Sequence, residues 1–394
     1  MKGRGGPLRY FPGGISLGLV VFLLGFFLIF PPPVWADTPH VTASAAVLLD
    51  APSGTILYSR APYSRRAPAS TTKILTGLVV IEQGDLSDMV TVSRRAGYTE
   101  GSSAYLRPGE KISLENLLYG ALLSSGNDAC TAMAEHIAGT EAIFVEMLNR
   151  RAKALGAWDS NFRNPHGLPQ GGHYTTAHDL ALMARQALRN GKFRDIVRKK
   201  SRVILEEETG WKRYFASTNQ LLWDYRGADG VKTGTTSEAG PCLVASATRG
   251  GRQLIAVVLN SADRWGDSSR LLDHGFADYT LHRLAKQGER VGEVGVAAGM
   301  TDLLPLIPGR DLNLTLPRGQ GGEVESVIVV RENLTAPIAQ GEKVGEIRAV
   351  LAGEVIRRVP LLAEVQVQKR TLLRTFLLRV YLPFLCFLSN HGPG

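Results

Sequence analysis

Three short stretches carry side chains that could do chemistry together. The first is Ser70-Thr71-Thr72-Lys73, at the mouth of an apolar run from Ile74 to Ile81. On a helix, positions three apart share a face, one turn from each other. The spacing therefore sets a hydroxyl beside an amine. A serine hydroxyl is a weak nucleophile until a base takes its proton. A lysine serves as that base when burial or a nearby cation lowers its pKa. The pattern Ser-x-x-Lys occurs once in the chain. The second stretch is Ser125-Gly126-Asn127, in a polar break between helical patterns, and the third is Lys232-Thr233-Gly234, which enters an apolar run with strand character. Each has a plain structural reading as well: a helix-start serine with a solvated lysine, an Asn helix cap, a strand glycine.

Elements that could hold these stretches are visible around them. Val47-Leu48-Leu49 and Ile56-Leu57-Tyr58 flank Pro52-Ser53-Gly54, a hairpin signature. The Ser70 helix stops at Gly84. A second helix, Leu114 to Leu123, follows Ser113 and delivers Ser125 into a loop, and Asn127 begins a third, Asp128 to Ile137. Thr140 caps a helix reaching Leu155, and Thr176-x-x-Asp179 resembles a capping box opening a helix that ends at Gly191. Leu243 to Thr248 and Leu254 to Leu259 read as two strands joined at Gly250-Gly251, and a helix from about Asp267 to Leu284 closes the unit. An N-terminal hairpin, a helical middle and a C-terminal hairpin plus helix imply one antiparallel sheet with helices on its faces, an α/β (α+β) unit.

The three motifs come in the chain order of the penicillin-interacting serine enzymes, whose signatures are Ser-x-x-Lys, Ser-x-Asn and Lys-Thr-Gly. The segments Asp229 to Gly234, Glu238-Ala239-Gly240, Asn164 to Leu168 and Gly172 to Ala177 resemble more specifically the D-alanyl-D-alanine carboxypeptidases of that superfamily. The resemblance spans about residues 37 to 285. It implies an acylated nucleophile at Ser70, its base at Lys73, proton delivery by Ser125, and orientation of Lys73 and the substrate amide by Asn127. Lys232 and Thr233 would bind the substrate's terminal carboxylate, and the backbone N–H groups of Ser70 and Thr235 would form the oxyanion hole. Gly234 fits a need for close backbone approach to a ligand. Physical chemistry adds that a Ser–Lys pair needs a second cation to keep the amine neutral, and Lys232 is the candidate. Arg264, by its offset from the Leu271-Leu272 helix, is a further carboxylate candidate. His166 and His173 lie outside any nucleophile-elbow context and read as loop-shaping residues.

The net charge of +9 belongs to the ends of the chain. Lys2, Arg4 and Arg9 precede the first apolar run, and Lys369, Arg370, Arg374 and Arg379 sit in the last segment, which leaves +2 for everything between. That placement points to membranes and away from nucleic acid. Residues 1–36 read as a secretory signal: a basic start, an apolar run from Ile15 to Phe30, then Val34-Trp35-Ala36 before Asp37. Residues 37–286 form the catalytic unit. Composition shifts near Gln287, and 287–367 reads as a small all-β domain, which the resemblance makes a spacer lifting the enzyme off the membrane. The tail, 368–394, is mostly apolar with basic residues at its start, and Pro383 interrupts any long helix. It reads as an interfacial anchor, which places the enzyme on the outer face of the bacterial cell membrane. Cys130, Cys242 and Cys386 are too few for a disulfide framework, and a Cys130–Cys242 bridge stays open. No metal or cofactor is implied.

The expected activity is removal of the terminal D-alanine from peptidoglycan stem peptides, with β-lactams as covalent inhibitors. A serine β-lactamase of class A would need a deacylating glutamate, yet no Glu occurs between Met147 and Leu205, and Gly126 stands where those enzymes carry Asp. A wall-binding or β-lactam-sensing protein would have no use for both amines. An endopeptidase acting on cross-links would use the same acyl transfer.

Overall fold

A computed structural model describes residues 38–205, 212–320 and 324–370. The expected signal segment and residues 371–394 of the tail, with Cys386, lie outside the described residues.

The chain opens with the hairpin β1 (Ala45–Asp50) and β2 (Ile56–Arg60). A 3-10 turn, Ala69–Thr72, runs into α1 (Lys73–Gln83), which stops at Gly84. The short hairpin β3 (Met89–Thr91) and β4 (Lys111–Ser113) leads into α2 (Leu114–Leu122). Then come α3 (Asn127–Ala138), α4 (Glu141–Ala154), α5 (Ala177–Arg189) and α6 (Gly191–Val197). A hairpin follows, β5 (Ser201–Leu205) and β6 (Lys212–Ala216), then β7 (Ala228–Thr236), β8 (Gly240–Arg249), β9 (Arg252–Leu259) and α7 (Arg264–Asp278).

Three helix starts are capped by side chains, but Asn127 lies inside its helix and does not cap it, and Asp179 turns its carboxylate to Ser160 Oγ, so only the Thr176 half of the capping box forms. The Ser113, Thr140 and Thr176 side chains accept from the backbone N–H groups of Asn116, Ile143 and Asp179. Two boundaries differ. Gly191 does not end α5; it begins α6, because the Asn190 side chain accepts from Phe193 N and caps a new helix. The closing helix ends at Asp278, not Leu284. The next residues, Tyr279–Ala285, form β10 and pair with β13 (Leu312–Pro317), so a distant partner overrides the local pattern.

The five-stranded antiparallel sheet has the order β2-β1-β9-β8-β7, which joins the first hairpin to the last through β1 and β9. Both faces are covered. Val47, Leu49, Ile255 and Val257 pack with the helical middle, while Leu48, Leu254, Ala256 and Val258 pack with Leu271 and Leu272 of α7. Central strands buried on both sides read as continuous apolar runs, as β1 and β9 do. In α1 every residue from Lys73 to Val80 is buried. That explains its unbroken apolar run and carries an amine into the interior. Strand β7 lies at one edge of the sheet.

Beyond α7, strands β11 (Gly292–Gly295), β12 (Leu303–Pro308), β14 (Val324–Val330), β15 (Lys343–Leu351) and β16 (Glu354–Ala363) form a second five-stranded sheet, order β11-β12-β16-β15-β14. It has its own core, including Leu304, Leu306, Ile347, Val359 and Leu361. Thr315 of β13 touches the first hairpin, its Oγ1 hydrogen-bonded to Ser53 Oγ at 2.9 Å. Cys130 and Cys242 are buried free thiols. Among the described residues no helix is long and apolar enough to cross a membrane.

Candidate active site

The three motifs meet where the start of α1, the start of α3 and the edge strand β7 converge. Ser70 sits in the 3-10 turn and is partly exposed, and Lys73 is the first residue of α1 and fully buried. Lys73 Nζ lies 3.0 Å from Ser70 Oγ, 2.7 Å from Asn127 Oδ1 and 2.8 Å from the His166 carbonyl oxygen. Asn127 opens α3, and its amide nitrogen donates to the Glu100 carbonyl at 2.7 Å. The amide is thus held from behind while its oxygen faces the amine. Ser125 is buried in the loop two residues earlier, with a left-handed backbone (φ 65°). Its hydroxyl is not hydrogen-bonded to Ser70 or Lys73.

Lys232, Thr233, Gly234 and Thr235 lie along β7. Lys232 is buried and donates to the Thr233 carbonyl at 3.3 Å. Thr233 Oγ1 meets Thr218 Oγ1 at 2.5 Å. A Cβ at Gly234 would stand 3.0 Å from the Pro68 carbonyl oxygen and 3.1 Å from Ser70 N. The edge strand therefore passes close against the Ser70 backbone, which only a glycine allows without displacement. Thr235 Oγ1 accepts from Arg264 Nη1 at 2.8 Å, and the same nitrogen reaches the Gly234 carbonyl at 3.3 Å. Arg264, the first residue of α7, is half-buried and stacks over Trp265. The structure thus brings it to the end of the third motif.

Burial sets the electrostatics. Lys73 is pushed down to about 8, chiefly by desolvation, with the Cys130 thiol and the Asp128 carboxylate opposing. Lys232 is lowered well below the ordinary lysine value by desolvation and then by the Lys73 charge. The two amines therefore compete for charge in one dry region. Lys73 has three acceptors around it and Lys232 one long contact. Hydrogen bonds to an ammonium favour the charged form, so Lys73 holds its proton more firmly than Lys232 does.

Several contributing groups gave no signal in the sequence. Asp128 is fully buried and accepts from Ala104 N, Leu106 N, Ala129 N and Ser103 Oγ, tying the 102–106 loop to α3. Thr76 Oγ1 donates to the Pro165 carbonyl at 2.6 Å, so the 164–168 loop lies on α1 and lends the His166 carbonyl to Lys73. Gly167 (φ 94°) allows that contact: a Cβ there would meet the Ala69 carbonyl oxygen at 1.8 Å. Ala69 itself has φ 48°. Two non-glycine residues, Ala69 and Ser125, thus hold left-handed backbone at the site, a strain of about 1–3 kcal/mol each that the surrounding fold sustains. His166 and His173 are pushed down to about 3 and about 4, by burial above all. His173 Nε2 pairs with Thr72 Oγ1 at 3.1 Å, and His166 Nδ1 accepts from Leu168 N. Both histidines support loops.

Comparison with known proteins gives concordant matches. Residues 33–263 match the family model described as D-alanyl-D-alanine carboxypeptidase, and residues 279–369 match that of the penicillin-binding protein 5 C-terminal domain. The chain is 36% identical over 353 residues to the D-alanyl-D-alanine carboxypeptidase DacF of Bacillus subtilis, covering 86% of this chain and 88% of that protein. It is 34% identical over 365 residues to DacC of Escherichia coli, covering 87% and 90%. Among solved structures, penicillin binding protein 5 from Haemophilus influenzae superposes with a TM-score of 0.73 at 33% identity, over 85% of this chain and all of that one.

Proposed function

The chain belongs to the D-alanyl-D-alanine carboxypeptidase family of serine peptidases, and from that premise we propose how its own residues carry the reaction. The enzyme is a serine-type D-Ala-D-Ala carboxypeptidase that acts outside the cytoplasm on peptidoglycan stem peptides, through an acyl-enzyme that β-lactams trap. Ser70 is the nucleophile and Lys73 its base. The observation that carries this assignment is the convergence of Ser70 Oγ, Asn127 Oδ1 and the His166 carbonyl on Lys73 Nζ.

The substrate's terminal carboxylate would dock against Lys232, Thr233 and Arg264. A carboxylate about 3 Å from Lys232, at an effective dielectric of about 20, favours the charged form of that lysine by roughly 5 kcal/mol. The Lys73 proton then moves to Lys232, and Lys73 becomes the free base. Ser70 Oγ attacks the carbonyl carbon of the penultimate D-alanine as its proton passes to Lys73. The N–H groups of Ser70 and Thr235 would stabilise the oxyanion, a contribution of about 3–4 kcal/mol per donor; the close packing of Gly234 on Ser70 N supports this pairing. Collapse of the tetrahedral intermediate breaks the C–N bond, and Ser125 relays the proton from Lys73 to the departing D-alanine amine. Water then releases the acyl group and restores Ser70.

We also propose the division of the chain. Residues 37–286 catalyse, 287–367 act as a spacer, 368–394 attach the enzyme to the membrane surface, and 1–36 direct export. Separate hydrophobic cores for the two folded parts support the first division, and the charge placement at the chain ends supports the last two. Replacing Ser70→Ala tests the central assignment: both D-alanine release from a diacetyl-Lys-D-Ala-D-Ala tripeptide and covalent labelling by fluorescent penicillin should vanish, and persistence of either overturns it.

A further inference from the structure

A second polar cavity lies at the other end of the sheet. Gly234, beside the nucleophile, pairs with Cys242 on β8, and Arg249 lies seven residues further along that strand. At about 3.3 Å per residue that is roughly 20 Å from the active site. A cavity of about 560 Å³ opens there, between the β8–β9 turn, the end of α7 and strand β10. Arg249, Arg252, Arg283 and Arg318 line it, and no carboxylate does.

Each guanidinium is held in place, mostly by main-chain oxygens. Arg283 Nη2 donates to the Gly251 carbonyl at 2.7 Å, and Arg318 donates to the carbonyls of Ala277 and Phe276 at 2.6 and 3.2 Å. Arg249 is stacked between the Tyr225 and Phe276 rings, and Asp273 Oδ1 stands 3.4 Å from its Nη2. Arg252 is buried, paired with Asp50, and its Nη2 lacks a hydrogen-bond partner. Arg283 and Arg318 make no ion pair among the described residues. On the other side of Arg283 a second cleft adds Arg185, Arg189, Arg194, Arg198 and Lys286, with Asp229 and Asp311 as its carboxylates. Neighbouring cations repel one another here: Arg185 is pushed down to about 10 by burial and then by Arg189 and Arg357. Cations outnumber carboxylates in the lining of both clefts, which leaves a net positive field.

We propose that this cavity is a binding site for a phosphate-bearing ligand, separate from the peptide site. Preset guanidinium forks match two phosphate oxygens at once. The volume falls within the usual range for small-ligand pockets. Phe276, Tyr279 and Leu281 add uncharged wall for the group that the phosphate carries. A soluble phosphate ester and the phosphodiester headgroup of a lipid share this chemistry.

The test uses the full chain and two probes, glycerol 3-phosphate in solution and vesicles of phosphatidylglycerol, with phosphatidylcholine vesicles as the neutral control. Binding is read by calorimetry or co-sedimentation at about 50 mM salt, where screening is modest. Arg283→Glu and Arg318→Gln are compared with the parent, and D-alanine release from a soluble tripeptide confirms that each variant is folded. The expected result is saturable binding of at least one probe, weakened about tenfold or more by either substitution, with tripeptide turnover unchanged. The tail proposed to attach the enzyme to membranes acts equally in parent and variants, so the probe whose affinity falls in the variants identifies the source of the phosphate. Absence of saturable binding to both probes, or affinities for both probes that the two folded variants leave unchanged, overturns the proposal. Equal affinity for acetate overturns the phosphate selectivity.

Discussion

Replacing Lys73→Arg separates charge from basicity at the amine proposed as the base. Arginine keeps a cation and several N–H donors near Asn127 Oδ1 and the His166 carbonyl, the acceptors 2.7 and 2.8 Å from Lys73 Nζ. What it loses is the ability to give up its proton. With Lys73 at about 8, roughly a tenth of the enzyme carries the neutral amine at pH 7. A guanidinium titrates above about 12, so the neutral fraction falls below roughly 10⁻⁵. The acylation rate should drop by about 10⁴, or ~5.5 kcal/mol in the barrier, near the top of what general bases contribute. The assay is the second-order rate of covalent labelling by a fluorescent penicillin, since it reports Ser70 acylation alone. The parent enzyme supplies an internal check. Its kcat/KM should climb about tenfold per pH unit below pH 8 and level off above it, because that ratio reports the free enzyme's base. If docking of a carboxylate moves the proton to Lys232, the kcat profile should turn at lower pH than the kcat/KM profile. Labelling by Lys73→Arg within tenfold of the parent refutes a base role for this amine.

The sequence made the local half of this site readable. Ser70 and Lys73 are one helical turn apart, and the caps at Ser113, Thr140 and Thr176 are short-range features that neighbouring residues specify. The long-range half was reachable only through the order of the three motifs. Nothing near Lys73 indicates that Asn127, 54 residues on, supplies an acceptor, or that Gly234 will pack on the Ser70 backbone. Main-chain groups were invisible for another reason. The His166 carbonyl serves Lys73 through a loop conformation, and a carbonyl is present at every residue. Asp128 was masked by its place in an ordinary helical pattern, although its carboxylate fixes the 102–106 loop. The helix expected up to Leu284 failed at Tyr279, since pairing with β13 outweighs local periodicity. The β5–β6 hairpin went unread because its exposed Val203, Leu205 and Tyr214 break the usual burial pattern.

Two further outcomes follow from the charged groups. Arg264→Gln should raise KM about tenfold for peptides with a free terminal carboxylate and leave amidated peptides unaffected, given its hydrogen bond to Thr235 and one lost charge-assisted contact; an equal effect on both substrates would assign Arg264 to structure alone. The second outcome concerns acid stability. His166 and His173 are held at about 3 and about 4 in the folded state, below the unfolded value of about 6.5. Between those limits the unfolded chain binds more protons, so stability falls as pH drops below about 6.5, by up to ~1.4 kcal/mol per pH unit for each histidine. Carboxylates mostly titrate below about pH 4.5, which leaves pH 6.5 to 5 as a window in which these two rings dominate. His173→Gln keeps a partner for Thr72 Oγ1 and removes one titration, so urea unfolding across that window should lose about half its pH slope. An unchanged slope would mean that the His173 ring charges without opening its loop, against its burial between Thr72 and the Phe162 ring.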